Sequence, residues 1–407
     1  MINIIGLGYI GLPTALMLAS HGVEVVGTDY NEGLVNKLNS GEPTFKEDGL
    51  DDLFAKAVKA GIRFTTEYQK TDMYVVSVPT PYDKFTKKVD AQYVVEAVKD
   101  VLKVCQSEAT IIIESTVSPG TIEQQIRPLL KDKKLGERTD VRLVHAPERI
   151  LPGNMLDELI HNNRTIGADD EATAAKVKAI YSSFCQGKIV LTDIRTAEMT
   201  KVVENTFRAV NIAFANELSR ICRHDNMDVH EIIRICNKHP RVNIMQPGPG
   251  VGGHCISVDP WFLVGDYPQL TPVITASMKV NDSQPDFVLK RIREIMRENQ
   301  ISDSSRVGLY GLTYKENVDD YRDSPTLQLL DAMESHLATP LKCYDPYLDG
   351  KKITTSQVMS FDDFLKDIDM VVVMVKHNHI LQQWNLLDGK IILDCHHVCP
   401  LPNAYSL

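Results

Sequence analysis

A chain of 407 residues exceeds what one hydrophobic core ordinarily organises, so two or three domains are expected. Apolar residues make up 43% and charged residues 24%, and the net charge of -10 argues against nucleic acid as a partner while allowing a local basic site for a phosphorylated ligand. No run of 18 uncharged apolar residues marks a membrane span, and "MINIIGLGYIG" carries no basic leader, so a cytoplasmic protein without a membrane partner is expected. In that compartment the eight cysteines are expected to stay reduced, and their spacing shows neither CxxC nor a disulfide framework.

Along the first 190 residues, "INIIG", "VEVVGTD", "MYVVSVP", "ATIIIEST" and "VRLVHAPE" read as buried strands separated by helix-length segments, the pattern of a parallel α/β sheet. From about Thr196 the texture becomes helical for roughly 30 residues without Pro or Gly, which predicts one long helix. After Asp303 strands return as "RVGLYGL", "LKCYDP", "DMVVVMV" and "KIILDC". The fold class is therefore α/β, with two Rossmann-like parallel-sheet domains joined by a long central helix. The expected boundaries are 1–193, 194–300 and 301–407.

Gly6, Gly8 and Gly11 form GxGxxG between a predicted strand and helix, and Asp29 ends the next strand. In that context Gly6 allows the tight turn, Gly8 lets backbone approach a pyrophosphate, Gly11 permits close packing, and the helix start attracts the anion. Asp29 would accept from ribose hydroxyls and repel a 2′-phosphate, which predicts NAD over NADP.

In "GPGVGGHCISVDPWF", residues 248–262, Cys255 follows Gly252 and Gly253, which are expected to leave room beside the thiol; the alternative is a small buried hydrophobe. Lys201 and Asn205 lie one helical turn apart and project from the same face, with Arg208 nearby. "DCHHVC" at 394–399 offers two Cys and two His, but no second ligand pair has structural-zinc spacing and no metal site is read there.

With these features in order, the chain resembles the UDP-glucose/GDP-mannose dehydrogenase family over nearly its whole length. Family members of the UDP-glucose type usually carry a GFGGSC turn followed by Lys-Asp, whereas Val258 precedes Asp259 here. "APERILPG" at 146–153 likewise stands in place of NPEFLxEG, with Arg149 and Pro152 at the differing positions. Both departures resemble the branch acting on UDP-N-acetylhexosamines.

The resemblance implies four-electron oxidation of the C6 alcohol of UDP-N-acetyl-D-mannosamine, with two NAD per sugar, for surface polysaccharide or glycan synthesis. The GlcNAc and GalNAc epimers are the nearer alternatives, and a catalytically silent nucleotide-sugar-binding regulator is the rival of another class. Cys255 would carry a thiohemiacetal and then a thioester, Lys201 and Asn205 would stabilise an oxyanion, and Asp259 would orient Lys201 or a water. Glu148 and Thr116 would hold and activate water. By the same resemblance the NAD contacts are Gly6, Gly8, Tyr9, Ile10, Gly11, Asp29, Thr80, Thr116 and Arg322. The substrate contacts are Arg149, Ile150, Lys201, Asn205, Arg208, His239, Arg241, Gly252, Tyr314 and Lys315. The first domain would bind NAD, the third the UDP-sugar, and the active site would lie between lobes. The central domain would form a homodimer or higher homo-oligomer, with Arg241 reaching the neighbouring subunit.

Overall fold

The computed structural model describes residues 1–83, 85–335, 341–348, 350–402 and 404–407. It divides into two compact units, Met1–Glu204 and Asn205–Leu407. In the first, eight strands form one sheet: β1 (Ile2–Ile5), β2 (Val25–Thr28), β3 (Arg63–Thr65), β4 (Met73–Val76), β5 (Thr110–Ile113), β6 (Arg142–His145), β7 (Arg164–Ala168) and β8 (Ile189–Thr192). Their order is β3-β2-β1-β4-β5-β6-β7-β8. The central strands are apolar at nearly every position because both faces are covered. Ile4, Val75, Ile112 and Val144 pack on one side, and Ile5, Tyr74, Val76, Ile111, Ile113 and Leu143 on the other.

The sheet is not parallel throughout. β7 runs antiparallel to β6, with His145 opposite Gly167, and β8 then runs parallel to β7. The sequence reading did not anticipate this reversal, nor the strands β3, β7 and β8 themselves.

In the second unit β9 (Val307–Tyr310), β10 (Lys342–Tyr344), β11 (Met370–Val373), β12 (Ile391–Asp394) and β13 (Ala404–Ser406) form a parallel sheet of order β10-β9-β11-β12-β13. Its faces are again both apolar, with Leu309, Val372 and Leu393 to one side and Tyr310, Val371 and Ile392 to the other. The helix Ile194–His224, 31 residues long, runs from the first unit into the second. The predicted α/β architecture with a long central helix is thus present. Among the described residues no helix is long and apolar enough to cross a membrane.

Candidate active site

The site is built at the carboxyl ends of the strands, where open α/β sheets leave their crevice. After β1 the chain turns at Gly6, whose φ of +89° suits glycine and whose Cβ would fall 2.4 Å from the carbonyl oxygen of Ser77. Gly8 faces open space, with nothing within 4 Å of where its Cβ would be. The helix Gly11–Ser20 follows at once; Leu12 N donates to Gly8 O at 3.1 Å, and Pro13 brings no N–H to the first turn. Asp29 fastens this loop from the end of β2: its carboxylate accepts from the N–H groups of Leu7 and Asn31, each at 2.9 Å. The Tyr9 ring packs against Phe45 with centroids 4.5 Å apart and a tilt of 32°, and Ile10 packs against the core. An open backbone beside a helix start and a carboxylate fits a dinucleotide.

Thr80 and Thr116 follow the neighbouring strands β4 and β5 and are half-buried. Their loops are tied by Ser115, whose hydroxyl donates to Val78 O at 2.7 Å and accepts from Val78 N at 2.9 Å. The long helix holds the same region, since Glu198 accepts from Gly120 N at 2.5 Å and Ile122 N at 2.9 Å. One turn further along that helix sits Lys201, only 6% exposed. Within the first unit it has no hydrogen bond or ion pair among the described residues. Its charge and, above all, burial push His145 down to about 3.

Glu148, after β6, is buried. One carboxylate oxygen accepts from Arg149 N at 2.7 Å and the other from the Arg164 guanidinium. Arg149, expected at the substrate, is hydrogen-bonded within the first unit. Each of its three nitrogens is taken, by Glu204 (2.5 Å), Asn163 O (2.8 Å) and Thr165 Oγ1 (2.8 Å). Ile150 buries its side chain in the core, which leaves only its backbone for a ligand.

In the second unit Asn205 donates to Asp259 at 2.6 Å, both residues being buried. Asp259 opens the helix Asp259–Asp266, and its N–H donates to Cys255 O at 2.8 Å, so the nucleophile candidate sits one turn before a helix start. Cys255 is half-buried. The two preceding glycines pack closely against the segment at 314–325. A Cβ on Gly252 would lie 2.6 Å from Asp323 O, and one on Gly253 would lie 2.8 Å from the Tyr314 ring. They are small because the 314–325 segment presses on them, and Gly253 N donates to Arg322 O at 3.0 Å.

Arg322 is held by the buried Asp320 in a two-pronged ion pair, at 2.8 and 2.5 Å. Lys315 and Arg208 are half-buried, and His239 and Arg241 are exposed. In "DCHHVC" the Asp394 carboxylate and the His396 ring have partners within the second unit. Asp394 accepts from the N–H groups of His396, Val398 and Cys399, and His396 Nε2 lies 2.9 Å from Met374 O.

Comparison with known proteins matches residues 1–185 to the NAD binding domain of the UDP-glucose/GDP-mannose dehydrogenase family, 195–283 to its central domain, and 308–400 to its UDP binding domain. The chain belongs to this family. A UDP-N-acetyl-D-mannosamine dehydrogenase of Methanococcus vannielii is 42% identical over 93% of this chain and 86% of its own. An NDP-N-acetyl-D-galactosaminuronic acid dehydrogenase of Ralstonia nicotianae is 39% identical over 97% and 95%. The solved UDP-N-acetyl-mannosamine dehydrogenase of Staphylococcus aureus is 36% identical, covers 100% of this chain and 98% of its own, and superposes with a TM-score of 0.88.

As a UDP-glucose/GDP-mannose dehydrogenase family member the protein is an NAD-dependent nucleotide-sugar oxidoreductase, which removes the silent-regulator reading. Sequence reasoning missed a buried polar group of this family member's first unit: Glu114, Arg164 and Tyr181. A charged residue inside the apolar run "ATIIIEST" was the available signal, since a carboxylate there must find a partner.

Proposed function

We propose that the chain oxidises the C6 alcohol of UDP-N-acetyl-D-mannosamine to the carboxylate, giving UDP-N-acetyl-D-mannosaminuronate. The reading is carried by one observation: Asn205 and Asp259 form a buried hydrogen bond at the helix start that Cys255 precedes. The relatives named for the mannosamine substrate support the choice of sugar.

NAD would be held by Gly6, Gly8, Gly11 and Asp29 with Tyr9, Ile10, Thr80, Thr116 and Arg322 around it, and would supply the hydride acceptor for both oxidations. Cys255 as thiolate adds through Sγ to the C6 aldehyde, and the oxyanion that forms is met by Lys201 and by the Asn205 amide. Lys201 has no carboxylate of its own within the first unit, so its charge is available to that oxygen. Asp259 fixes the Asn205 amide with its N–H groups in a defined direction. Oxidation of the thiohemiacetal leaves a thioester, and Glu148 takes the proton of the water that displaces the thiolate. Arg149, Ile150, Arg208, His239, Arg241, Gly252, Tyr314 and Lys315 bind the nucleotide and sugar.

A second reading, the galactosamine epimer, is favoured by the Ralstonia relative. Counting NADH formed from a panel of UDP-N-acetylhexosamines tests both. Two NADH per molecule of the mannosamine sugar, with the other epimers slower, supports the first reading, and a faster galactosamine substrate replaces it. Cys255→Ser should bind both ligands and lose turnover by orders of magnitude, because an alcohol is a weaker nucleophile than a thiolate. Near-normal two-NADH turnover by Cys255→Ala sinks the covalent route.

We also propose a cytoplasmic homodimer supplying a uronate for surface glycan. On the long helix Val203, Phe207, Phe214 and Ile221 are exposed at intervals of four and seven, a seam suited to the same helix of a second copy. Phe207→Glu with Phe214→Glu should give monomers by sedimentation; a retained dimer places the interface elsewhere.

A further inference from the structure

Glu114 stands at the end of β5, fully enclosed, and is not among the residues assigned to the reaction above. Tyr181 Oη donates to its Oε1 at 3.2 Å, while its Oε2 has no hydrogen-bond partner among the described residues. Arg164 Nη1 lies 3.7 Å from the same Oε1, and the opposite end of that guanidinium holds Glu148. The guanidinium lies over the Tyr181 ring at 4.3 Å and the Phe184 ring at 5.3 Å, so no solvent shares its charge. Two buried carboxylates therefore face one buried cation. A bare carboxylate oxygen in such surroundings is costly, and a proton on one of the two acids removes the excess charge.

We propose that Arg164 and Glu114 are positioning residues for Glu148: Arg164 aims its carboxylate, and Glu114, by gaining or losing a proton, sets how much of the Arg164 charge Glu148 feels. This rests on the reading of Glu148 as the group that takes the proton from water. Both oxygens of Glu148 have donors, whereas Glu114 Oε2, beside the Ser77 side chain, makes no hydrogen bond among the described residues, so the proton is assigned to Glu114. Burial accordingly raises Glu114 to about 7, opposed by Arg164 and reinforced by Glu148. The remaining groups facing this cluster are the Tyr181 hydroxyl, the Ser77 side chain and, beyond Arg164, Cys185. His145, paired with Ile113 on β6, and Lys201 beside it belong to the opposite face of the sheet from Glu114. Ser77 also closes over Gly6 through its carbonyl, so the cluster reaches from the wall of the dinucleotide turn to the proposed base.

The sign follows from the charges. Below neutrality Glu114 is protonated and Glu148 keeps the whole of Arg164. As Glu114 ionises the cation is shared, the second negative charge raises the basicity of Glu148, and thioester hydrolysis accelerates.

Glu114→Gln imitates the protonated acid at nearly constant shape. In single-turnover measurements of acyl-enzyme hydrolysis, wild type should speed up on the order of tenfold between about pH 6 and 8, and Glu114→Gln should stay at the slow level. Infrared spectra of the ligand-free protein should show a protonated-carboxyl band that titrates near neutrality and is missing from Glu114→Gln. Absence of such a band in wild type, or an unchanged pH profile in Glu114→Gln, overturns the proposal. Glu148→Gln separates the two readings. Normal hydrolysis by that variant overturns Glu148 as base, whereas slow hydrolysis by it beside an unaltered Glu114→Gln profile overturns the positioning role alone.

Discussion

The turn after β1 and the turn after β9 are two uses of one frame. In the first unit Gly6 N donates to Thr28 O, Ser77 N to Ile5 O, and the Asp29 carboxylate accepts from Leu7 and Asn31 N–H groups. In the second, Gly311 N donates to Tyr344 O, Met374 N to Tyr310 O, and the Asp345 carboxylate accepts from Leu312, Thr313 and Tyr347 N–H groups. The two glycines have φ of +89° and +95°. What differs is the filling. Gly8 and Asp29 border open space and the helix begins at Gly11. Asp345 is buried against His377, whose Nδ1 accepts from Asn317 N and whose Nε2 lies 3.2 Å from the carboxylate, and the next helix begins only at Pro325. A strand-turn-acid frame thus holds the chain in both places, but only an empty turn leading straight into a helix offers a dinucleotide its N–H groups.

The largest expected effects come from the glycines. Gly6→Ala and Gly311→Ala each put a Cβ within 2.5 Å of a neighbour at positive φ, and each should destabilise its own unit by about 2–4 kcal/mol. Only Gly6→Ala should abolish NADH binding measured by fluorescence; equal loss in Gly311→Ala would break the comparison.

Next come the acids. Asp345→Asn, which disturbs the acceptor of three N–H groups and the contact with His377, should cost about 3 kcal/mol in chemical denaturation. Asp29→Ala should cost less than about 1 kcal/mol and appear instead as a narrowed preference for NAD over NADP. An unchanged cofactor ratio removes Asp29 from the ribose site.

Acid should separate the units as well. His145, held near 3, must charge on unfolding, which costs the first unit at most ~1.4 kcal/mol per pH unit below about 6.5, but Glu114, raised to about 7, keeps its proton in the folded state and offsets that loss down to about pH 4.5. Burial works to raise Asp345, but His377 and the Tyr347 and Thr313 N–H groups outweigh it and hold the carboxyl below its ordinary value. Its contribution is therefore present above about pH 4 and fades below. Denaturation midpoints should therefore stay nearly level for the first unit down to about pH 4.5, and His145→Gln, which leaves Glu114 alone, should turn that plateau into a rise as pH falls. The smallest effect belongs to Gly8→Ala, which meets no atom within 4 Å and should leave stability within about 0.5 kcal/mol while weakening NADH binding.

The strands that were legible in the sequence are those buried on both faces, whose apolar runs have no competing reading. β3 and β13 are three residues long, and β8 exposes Val190 and Leu191, so neither length nor pattern announced them. β7 begins with an arginine after two asparagines, which reads as a turn until Glu148 and Glu114 explain the charge. In the site, the glycine loop, Asp29 and the Lys201–Asn205 spacing are local and could be read. The bond from Asn205 to Asp259 spans 54 residues, and the use of Arg149 on Glu204 spans 55, distances over which one sequence carries no geometric signal.

The helix Ile194–His224 also constrains how the gene can change length. Loops on either side can absorb an inserted codon, but one extra residue between Lys201 and Asn205 would rotate one side chain against the other by about 100°. Carriers of such an insertion would keep both residues and the helix, yet lose their common face. Variation in chain length is therefore expected to be tolerated in the connections and purged from this single turn.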